Sequence, residues 1–222
     1  MAEAKPLSDN VEEYLEAIHR LSQSPRGVST TGLATQLAVT PASVTGMLRR
    51  LAGLGLITYR RYHDISLTRE GERRALSLIR RHRLAERLLT DLLRVPLAEA
   101  HDQACRLEHV VSSDLEGRIA DALGDPQACP HGHPLDPSAR DRTISLLDAP
   151  LGRPLTLARL DDESPDVVRY LAERGLLPGK PIALKQRMPA AATVVIEAAG
   201  QTHTIGASLA ATIRVHRPRR AT

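Results

Sequence analysis

Within residues 82–109 of this 222-residue chain, six side chains that can bind a metal ion recur at helical spacing. His82 and Glu86 stand one helical turn apart, and Pro96 separates them from the other four. At about 100° per residue, a spacing of i, i+4, i+7 and i+8 places side chains on one helix face. The pattern therefore predicts two neighbouring helices whose inner faces form a metal site or a catalytic centre. The four side chains with this spacing are His101, Cys105, Glu108 and His109.

Composition bounds the class of protein that can carry this site. The length fits one large domain or two to three small ones. Without Phe or Trp, the core must consist of Leu, Ala, Val and Ile. Two cysteines do not suggest a disulfide framework. We expect a cytoplasmic protein, because we find neither a signal peptide nor an apolar run of about 18 residues.

The charges are unevenly distributed along the chain. Residues 41–94 hold 12 Arg against five acids, and residues 95–168 hold 6 Arg against 14 acids. A basic N-terminal part followed by an acidic middle indicates a polyanion as the partner of the first part. An exposed Arg-rich helix face is the alternative explanation.

The basic part has the pattern of a DNA-reading motif. The strings VSTTGLATQL and TPASVTGMLRRLAGLG predict two short helices with a tight connection. Thr40 is a good N-cap, and a proline follows it at the first helical position. In a helix-turn-helix the second helix enters the major groove, so Thr40 is expected to contact phosphates. Ser43, Thr45 and Gly46 are expected to face the bases, and Arg49 is a further candidate DNA-binding residue.

Two further segments complete the prediction for this part. A helix over residues 9–23 is expected to begin with a capping box of Asp9 and Glu12. The string ITYRRYHDISLT predicts a β-hairpin wing with Arg60 and Arg61 near the DNA backbone. Three helices followed by a hairpin predict a winged helix-turn-helix that binds double-stranded DNA.

The middle of the chain is predicted to be helical. Thr68 is expected to cap a long helix that runs to Arg94. The next helix is expected to run from Pro96 to about residue 123, and residues 124–152 are loop-rich. Helices this apolar often pack against a twin, so a homodimer is expected. The string CPHGHP invites a zinc interpretation, but we favour a structural loop because no second ligand pair accompanies Cys129, His131 and His133.

From residue 153 onward, short alternating apolar runs predict the strands of a small β-barrel. One helix interrupts them, with Ser164 as its cap and Pro165 behind it. The fold class is therefore mainly α with α+β parts. The predicted domains are a winged helix-turn-helix over 1–73, a helical dimerisation and metal-binding domain over 74–140, a linker over 141–152 and the small barrel over 153–222.

The string HRLAERLLTDLLRVPLAEAHDQACRLEHVVSSDLE strongly resembles the diphtheria toxin repressor family of iron- and manganese-dependent transcriptional regulators. Its specific features are EHxxS after a cysteine and a preceding HxxxE helix. The string CPHGHPLDP is also similar to a family loop. The resemblance covers nearly the whole chain and implies a winged helix, a helical dimerisation domain and a C-terminal SH3-like (FeoA-like) domain.

The resemblance implies two metal sites per subunit. His82, Glu86 and His101 match the ancillary site, with Glu163 or Asp166 as a further candidate ligand. The residues that match or complete the primary site are Cys105, Glu108, His109, Glu13 and Glu16.

The type of metal follows from two of these positions. A carboxylate at Glu13, where iron-responsive members typically place methionine, resembles the manganese-responsive branch, but Cys105 departs from that branch. Mn²⁺ is therefore the expected cofactor, with Fe²⁺ as the alternative. Taken alone, without the resemblance, Glu13 and Glu16 are more typical of a solvated helix face.

The implied function is a metal-dependent homodimeric repressor of metal-uptake genes that binds operator DNA. Metal is expected to bridge the DNA-binding and dimerisation domains. Neither a membrane nor a small-molecule substrate is expected as a partner. A di-metal hydrolase is one alternative, although the chain lacks an HExxH-type arrangement and a nucleophile motif. A winged-helix regulator that senses an organic ligand, with a merely structural cluster, is the other.

Overall fold

A computed structural model describes residues 7–23, 27–59 and 64–217 of the chain. The chain divides into two compact units, Met1–Arg81 and His82–Thr222. Each unit is described by itself below. Within the part of the chain that the structure describes, no helix has the length and apolar character that a membrane crossing requires.

The first unit is a winged helix-turn-helix. Three helices are followed by an antiparallel two-stranded hairpin, in which Thr58 pairs with Ser66. Leu15, Leu33 and Leu48 come from the three helices and are completely or almost completely buried, so they form the core together. The elements are α1 (Asp9–Ser22), α2 (Thr30–Gln36), α3 (Pro41–Gly53), β1 (Ile57–Tyr59), β2 (Ile65–Leu67) and the N-terminal part of α4 (Arg69–Arg87).

Side-chain caps mark the starts of α3 and α4. The Thr40 hydroxyl accepts a hydrogen bond of 3.2 Å from the Ser43 amide, which confirms the predicted cap of α3. Thr68 caps α4 in the same way, through the amide of Gly71 at 3.1 Å. The predicted capping box at Asp9 is wrong, because α1 begins at Asp9 with Ser8 as its N-cap. The Asp9 carboxylate instead lies in the first turn, where its negative charge interacts favourably with the positive end of the helix dipole.

The helices of the second unit differ from the prediction in one place. After α4 the chain continues as a π-helical turn, Leu88–Leu92, and then breaks before Pro96 as expected. The single helix predicted up to residue 123 is two helices, α5 (Leu97–Leu107) and α6 (Ser113–Ala122). The break follows from Ser112, whose hydroxyl accepts a hydrogen bond from the Leu115 amide and starts α6.

The C-terminal part of the second unit is an antiparallel sheet of the SH3-like type. Its elements are β3 (Thr143–Ser145), β4 (Pro154–Leu160), α7 (Pro165–Ala172), β5 (Pro181–Met188), β6 (Thr193–Ala198), β7 (Gln201–Gly206), α8 (Ala207–Thr212) and β8 (Ile213–His216). The strand order is β3-β8-β4-β5-β6-β7. Register shifts between Leu157 and Arg159, and between Leu184 and Gln186, interrupt the ladders as β-bulges do and bend the sheet around its core.

Residues 141–152 belong to this sheet domain rather than to a linker. Strand β3 pairs with β8, with Ile144 opposite Val215. Leu146 and Ala149 are completely buried in the core of the domain. Three residues are too short for a strand to be predicted from alternation alone, so the pairing with a distant strand decides the structure here.

Candidate metal centre

Two helices of the second unit present the ligands that the sequence predicts on them. His82 and Glu86 lie on α4, and both side chains are buried. His101 lies one turn before Cys105 on α5, and Glu108 is the C-cap of the same helix. Burial of ionisable groups without partners would be costly, so the contacts that they make define the site.

His82 stands at the centre of these contacts. Its Nδ1 lies 2.5 Å from Glu108 Oε2 and its Nε2 lies 3.2 Å from Glu86 Oε1. The same Nε2 is 3.2 Å from His101 Nδ1. His82 therefore joins a residue of the expected ancillary site, Glu86, to a residue of the expected primary site, Glu108.

The loop after α6 adds a ligand that sequence analysis set aside. His131 is completely buried, and its Nδ1 lies 3.0 Å from Glu86 Oε1. Cys129, also buried, has a possible metal-ligand atom near those of Glu86 and His131. The interpretation of CPHGHP as a structural loop thus missed its position beside the helical ligands. The only clue in the sequence was the CxHxH spacing itself.

Of the two candidates from the C-terminal domain, Glu163 lies at the cluster. Its Oε2 is 2.9 Å from His101 Nδ1, and its Oε1 is 3.1 Å from His133 Nε2. Asp166 has a side chain that is 97% exposed, and it pairs with Arg169 instead.

Among the described residues, three overlapping groups of side chains could hold a metal ion. In each group, one ligand atom per residue lies within 4.8 Å of all the others. Glu86 Oε2 and His131 Nε2 are buried and have no hydrogen-bond partner among the described residues. These two atoms are available as metal ligands, since imidazole and carboxylate groups ordinarily bind divalent metals. The groups are His82, His101 and Cys105; His82, Glu86, His101 and Glu163; and Glu86, Cys129, His131 and Glu163.

The electrostatics of the cluster lower the pKa of Glu86 and raise the pKa values of His82 and His101. Burial raises the pKa of Glu86, but hydrogen bonds from His101, His131 and His82 outweigh it and hold this pKa well below its usual range. Hydrogen bonds with Cys105, Glu163 and Glu86 raise the pKa of His101 to about 11. Burial lowers the pKa of His82, but hydrogen bonds with Cys105, Glu108 and Glu86 outweigh it and raise this pKa well above its usual value.

The pKa values of the two thiols shift in opposite directions. Burial raises the pKa of Cys105, but hydrogen bonds with the neighbouring His101 and His82 outweigh it and lower this pKa below its ordinary value. The Cys105 Sγ lies 3.8 Å from His101 Nε2. Burial, together with the charges of Glu86 and Glu163, raises the pKa of Cys129 well above its ordinary value, so this thiol stays protonated.

The remaining predicted ligands are placed within their own units. His109 Nε2 lies 3.5 Å from Glu108 Oε1 in the second unit. In the first unit, Glu13 is exposed on α1, and Glu16 pairs with Arg20 at 2.7 Å.

Most residues predicted to contact DNA are exposed on α3 or at its N-cap. Ser43, Gly46 and Arg49 are exposed, as is the capping Thr40. Thr45 is half-buried, and its hydroxyl donates a 3.0 Å hydrogen bond to the Pro41 carbonyl within the helix. Arg60 and Arg61 lie outside the described residues.

Comparison with family models covers nearly the whole chain. Residues 6–65 match the N-terminal DNA-binding domain of iron-dependent repressors. Residues 68–137 match the metal-binding and dimerisation domain of the same repressors. Residues 144–217 match the FeoA domain.

Curated relatives and solved structures agree with these matches. The chain is 28% identical to the iron-dependent repressor IdeR of Mycobacterium leprae over 95% of this chain and 98% of the relative. It is 32% identical to the diphtheria toxin repressor of Corynebacterium glutamicum, over 68% of this chain and 70% of the relative. A manganese-dependent transcriptional repressor in complex with manganese superposes with a TM-score of 0.86 at 31% identity, covering 94% of this chain and all of that one.

Gly132 provides a test of how the loop is held. A Cβ at this position would lie 2.1 Å from the Ala158 carbonyl oxygen, and its φ of +92° disfavours any side chain. Gly132→Ala should therefore cost about 2–4 kcal/mol in the free energy of unfolding, measured by chemical denaturation. Gly124→Ala is the control, since φ is +72° but a Cβ meets nothing within 4 Å, and should cost only about 1 kcal/mol. Equal losses would contradict this role of the close contact.

The raised pKa values predict that metal binding releases protons. His101, with a pKa of about 11, is protonated at neutral pH and must lose its proton to bind a cation. Affinity for Mn²⁺ should rise with pH between 6 and 9, by about tenfold per unit for each proton displaced. Calorimetry in buffers of different ionisation enthalpy measures the protons released. His101→Ala should release fewer, and an unchanged count would refute the assignment.

Proposed function

Because the chain belongs to the diphtheria toxin repressor family of metal-dependent transcriptional repressors, we propose that it represses metal-uptake genes when a divalent metal fills the cluster around Glu86. It is a metal-responsive DNA-binding repressor, as its relatives are. The observation that carries the proposal is the convergence of two imidazoles and two carboxylates. In this group His82, Glu86, His101 and Glu163 each offer a ligand atom within 4.8 Å of the others.

The proposed metal is Mn²⁺, with Fe²⁺ as the alternative. A set of two imidazoles and two carboxylates suits either ion. Glu13 stands where iron-responsive members of the family typically have methionine, and this carboxylate supports manganese. The likeness to a manganese-dependent repressor solved with manganese also supports it. The relative from Mycobacterium leprae, named as iron-dependent, supports iron.

A second site per subunit is proposed from the sequence. Cys105, Glu108 and His109 would supply one part of it, and Glu13 and Glu16 would supply the other. Such a division would make the DNA-reading helices sensitive to metal. A metal shifts an equilibrium only by its differential affinity for two states, and a coupling of about 1–3 kcal/mol corresponds to roughly 5–150-fold in DNA affinity.

The active form is proposed to be a homodimer. The second unit exposes large apolar side chains on its helices and in the loops that join them, and a closed twofold contact would bury such groups. Leu93 is 61% exposed and Val110 is 72% exposed, and Leu92 and Leu115 are also exposed. A twofold dimer would present two copies of α3 to a palindromic operator.

The direct test is operator binding titrated with metal. DNA selected from a random pool with Mn²⁺ present serves as the operator, and fluorescence anisotropy gives the affinity under anaerobic conditions with Mn²⁺, Fe²⁺ or Zn²⁺. We expect tight binding with Mn²⁺ and weak binding after chelation. Unchanged DNA affinity on chelation would instead favour a regulator that senses an organic ligand. Metal-dependent turnover of phosphate esters or carboxyl esters would favour the hydrolase alternative.

Glu108→Gln and His109→Ala should each abolish the stimulation of operator binding by Mn²⁺ while the dimer persists. Glu108 is buried and bonds to His82 at 2.5 Å, so its replacement removes charge from the cluster. Glu99→Gln removes the same charge from an exposed position on α5 and should leave the response unchanged. Sedimentation velocity checks the dimer. A normal metal response in both site variants would refute the role of these residues.

The wing arginines test how DNA is held. Arg60→Gln with Arg61→Gln should weaken binding to all DNA sequences by a similar factor. The slope of log affinity against log salt should fall by about two, because two phosphate contacts are lost. Anisotropy at several salt concentrations measures this slope for operator and random DNA. A loss confined to the operator would indicate base recognition by these residues instead.

A further inference from the structure

The second unit contains a cavity on its own surface, of about 660 Å³. This volume lies in the range of small-molecule sites. Its apolar lining comes from prolines of two loops, among them Pro126, Pro130 and Pro178, and from Ala158 of β4. These rigid walls form a concave surface that can hold the apolar body of a ligand.

Charges on one side of the cavity are already balanced. Arg159 pairs with Asp161 at 2.6 Å and with Asp141 at 3.0 Å. Arg214 extends the same network to both aspartates, at 3.8 Å and 3.5 Å. Burial raises the pKa of Asp141, but hydrogen bonds from Thr143 and the nearby Arg159 outweigh it and lower this pKa to about 2. Two arginines are therefore paired with two aspartates.

Two other guanidinium groups at the cavity are not balanced. Arg140 and Arg142 flank Asp141 and are exposed. Neither forms an ion pair with a carboxylate in the described part of the chain. Both also line an adjoining cavity together with His216 and Arg217. The rim thus carries a surplus of positive charge beside an apolar wall.

We propose that this cavity binds a small organic anion, with its apolar body against the prolines and its phosphate or carboxylate group on Arg140 and Arg142. A guanidinium group presents a fork of donors that matches both kinds of oxyanion. The proposed ligand-binding groups differ from those of the metal cluster, because Arg140 and Arg142 carry guanidinium groups, which do not bind metals. Cys129 alone belongs to both places, since it lines the cavity and one of the metal groups.

The experiment uses the full-length chain without metal or DNA. A negative result would therefore not contradict the proposal of metal-dependent operator binding. Calorimetry is run with phenyl phosphate, with phthalate and with neutral phenol. We expect dissociation constants on the order of 0.1–1 mM for one or both anions, a range common for small ligands. The stronger of the two identifies the preferred anionic group. Phenol should not bind detectably.

The paired variants Arg140→Gln with Arg142→Gln should weaken binding of the preferred anion by at least tenfold. The control is Arg153→Gln with Arg169→Gln, which removes the same charge from exposed positions of the C-terminal domain that do not line the cavity, and it should change affinity less than twofold. Circular dichroism of each variant checks folding. Absence of binding by both anions, equal binding of phenol, or equal losses in the two double variants would each overturn the proposal.

Discussion

The second unit depends on one buried charge, the carboxylate of Glu86. This side chain has no solvent exposure, and an ion removed from water in this way must be compensated by charged partners. Its partners come from three places in the chain: His82 on the same helix, His101 on α5 and His131 on the loop after α6. Compensation of a single carboxylate therefore fixes the mutual positions of these elements.

A site built in this way is suited to exchange protons for metal. The pKa of Glu86 is held low and that of His101 is raised to about 11, so protonated imidazoles now supply the positive charge. A divalent cation supplies the same charge without protons, and it can use Glu86 Oε2, which has no hydrogen-bond partner among the described residues. Metal binding thus replaces one form of compensation by another and need not create the fold.

Local patterns were sufficient for much of this architecture. Helical spacing predicted that His82, Glu86 and His101 would converge, and turn and capping patterns predicted the helix-turn-helix around Thr40. The contribution of the loop could not be predicted in this way. The contact between His131 and Glu86 joins residues 45 positions apart, and no periodicity of one element reports such a contact. Strand β3 was not predicted for the same reason, since its pairing with the distant strand β8 defines it.

The overlap of the metal groups bears on the choice of metal. Glu86 and Glu163 belong to two groups, one completed by His82 and His101 and the other by Cys129 and His131. The first offers only nitrogen and oxygen, which suits Mn²⁺ or Fe²⁺, whereas a thiolate in the second would favour a softer ion such as Zn²⁺. Because the pKa of the Cys129 thiol is raised by burial and by both carboxylates, forming that thiolate costs free energy. That cost opposes the binding of a soft ion by the second group, whereas the first group has no thiol that must lose a proton.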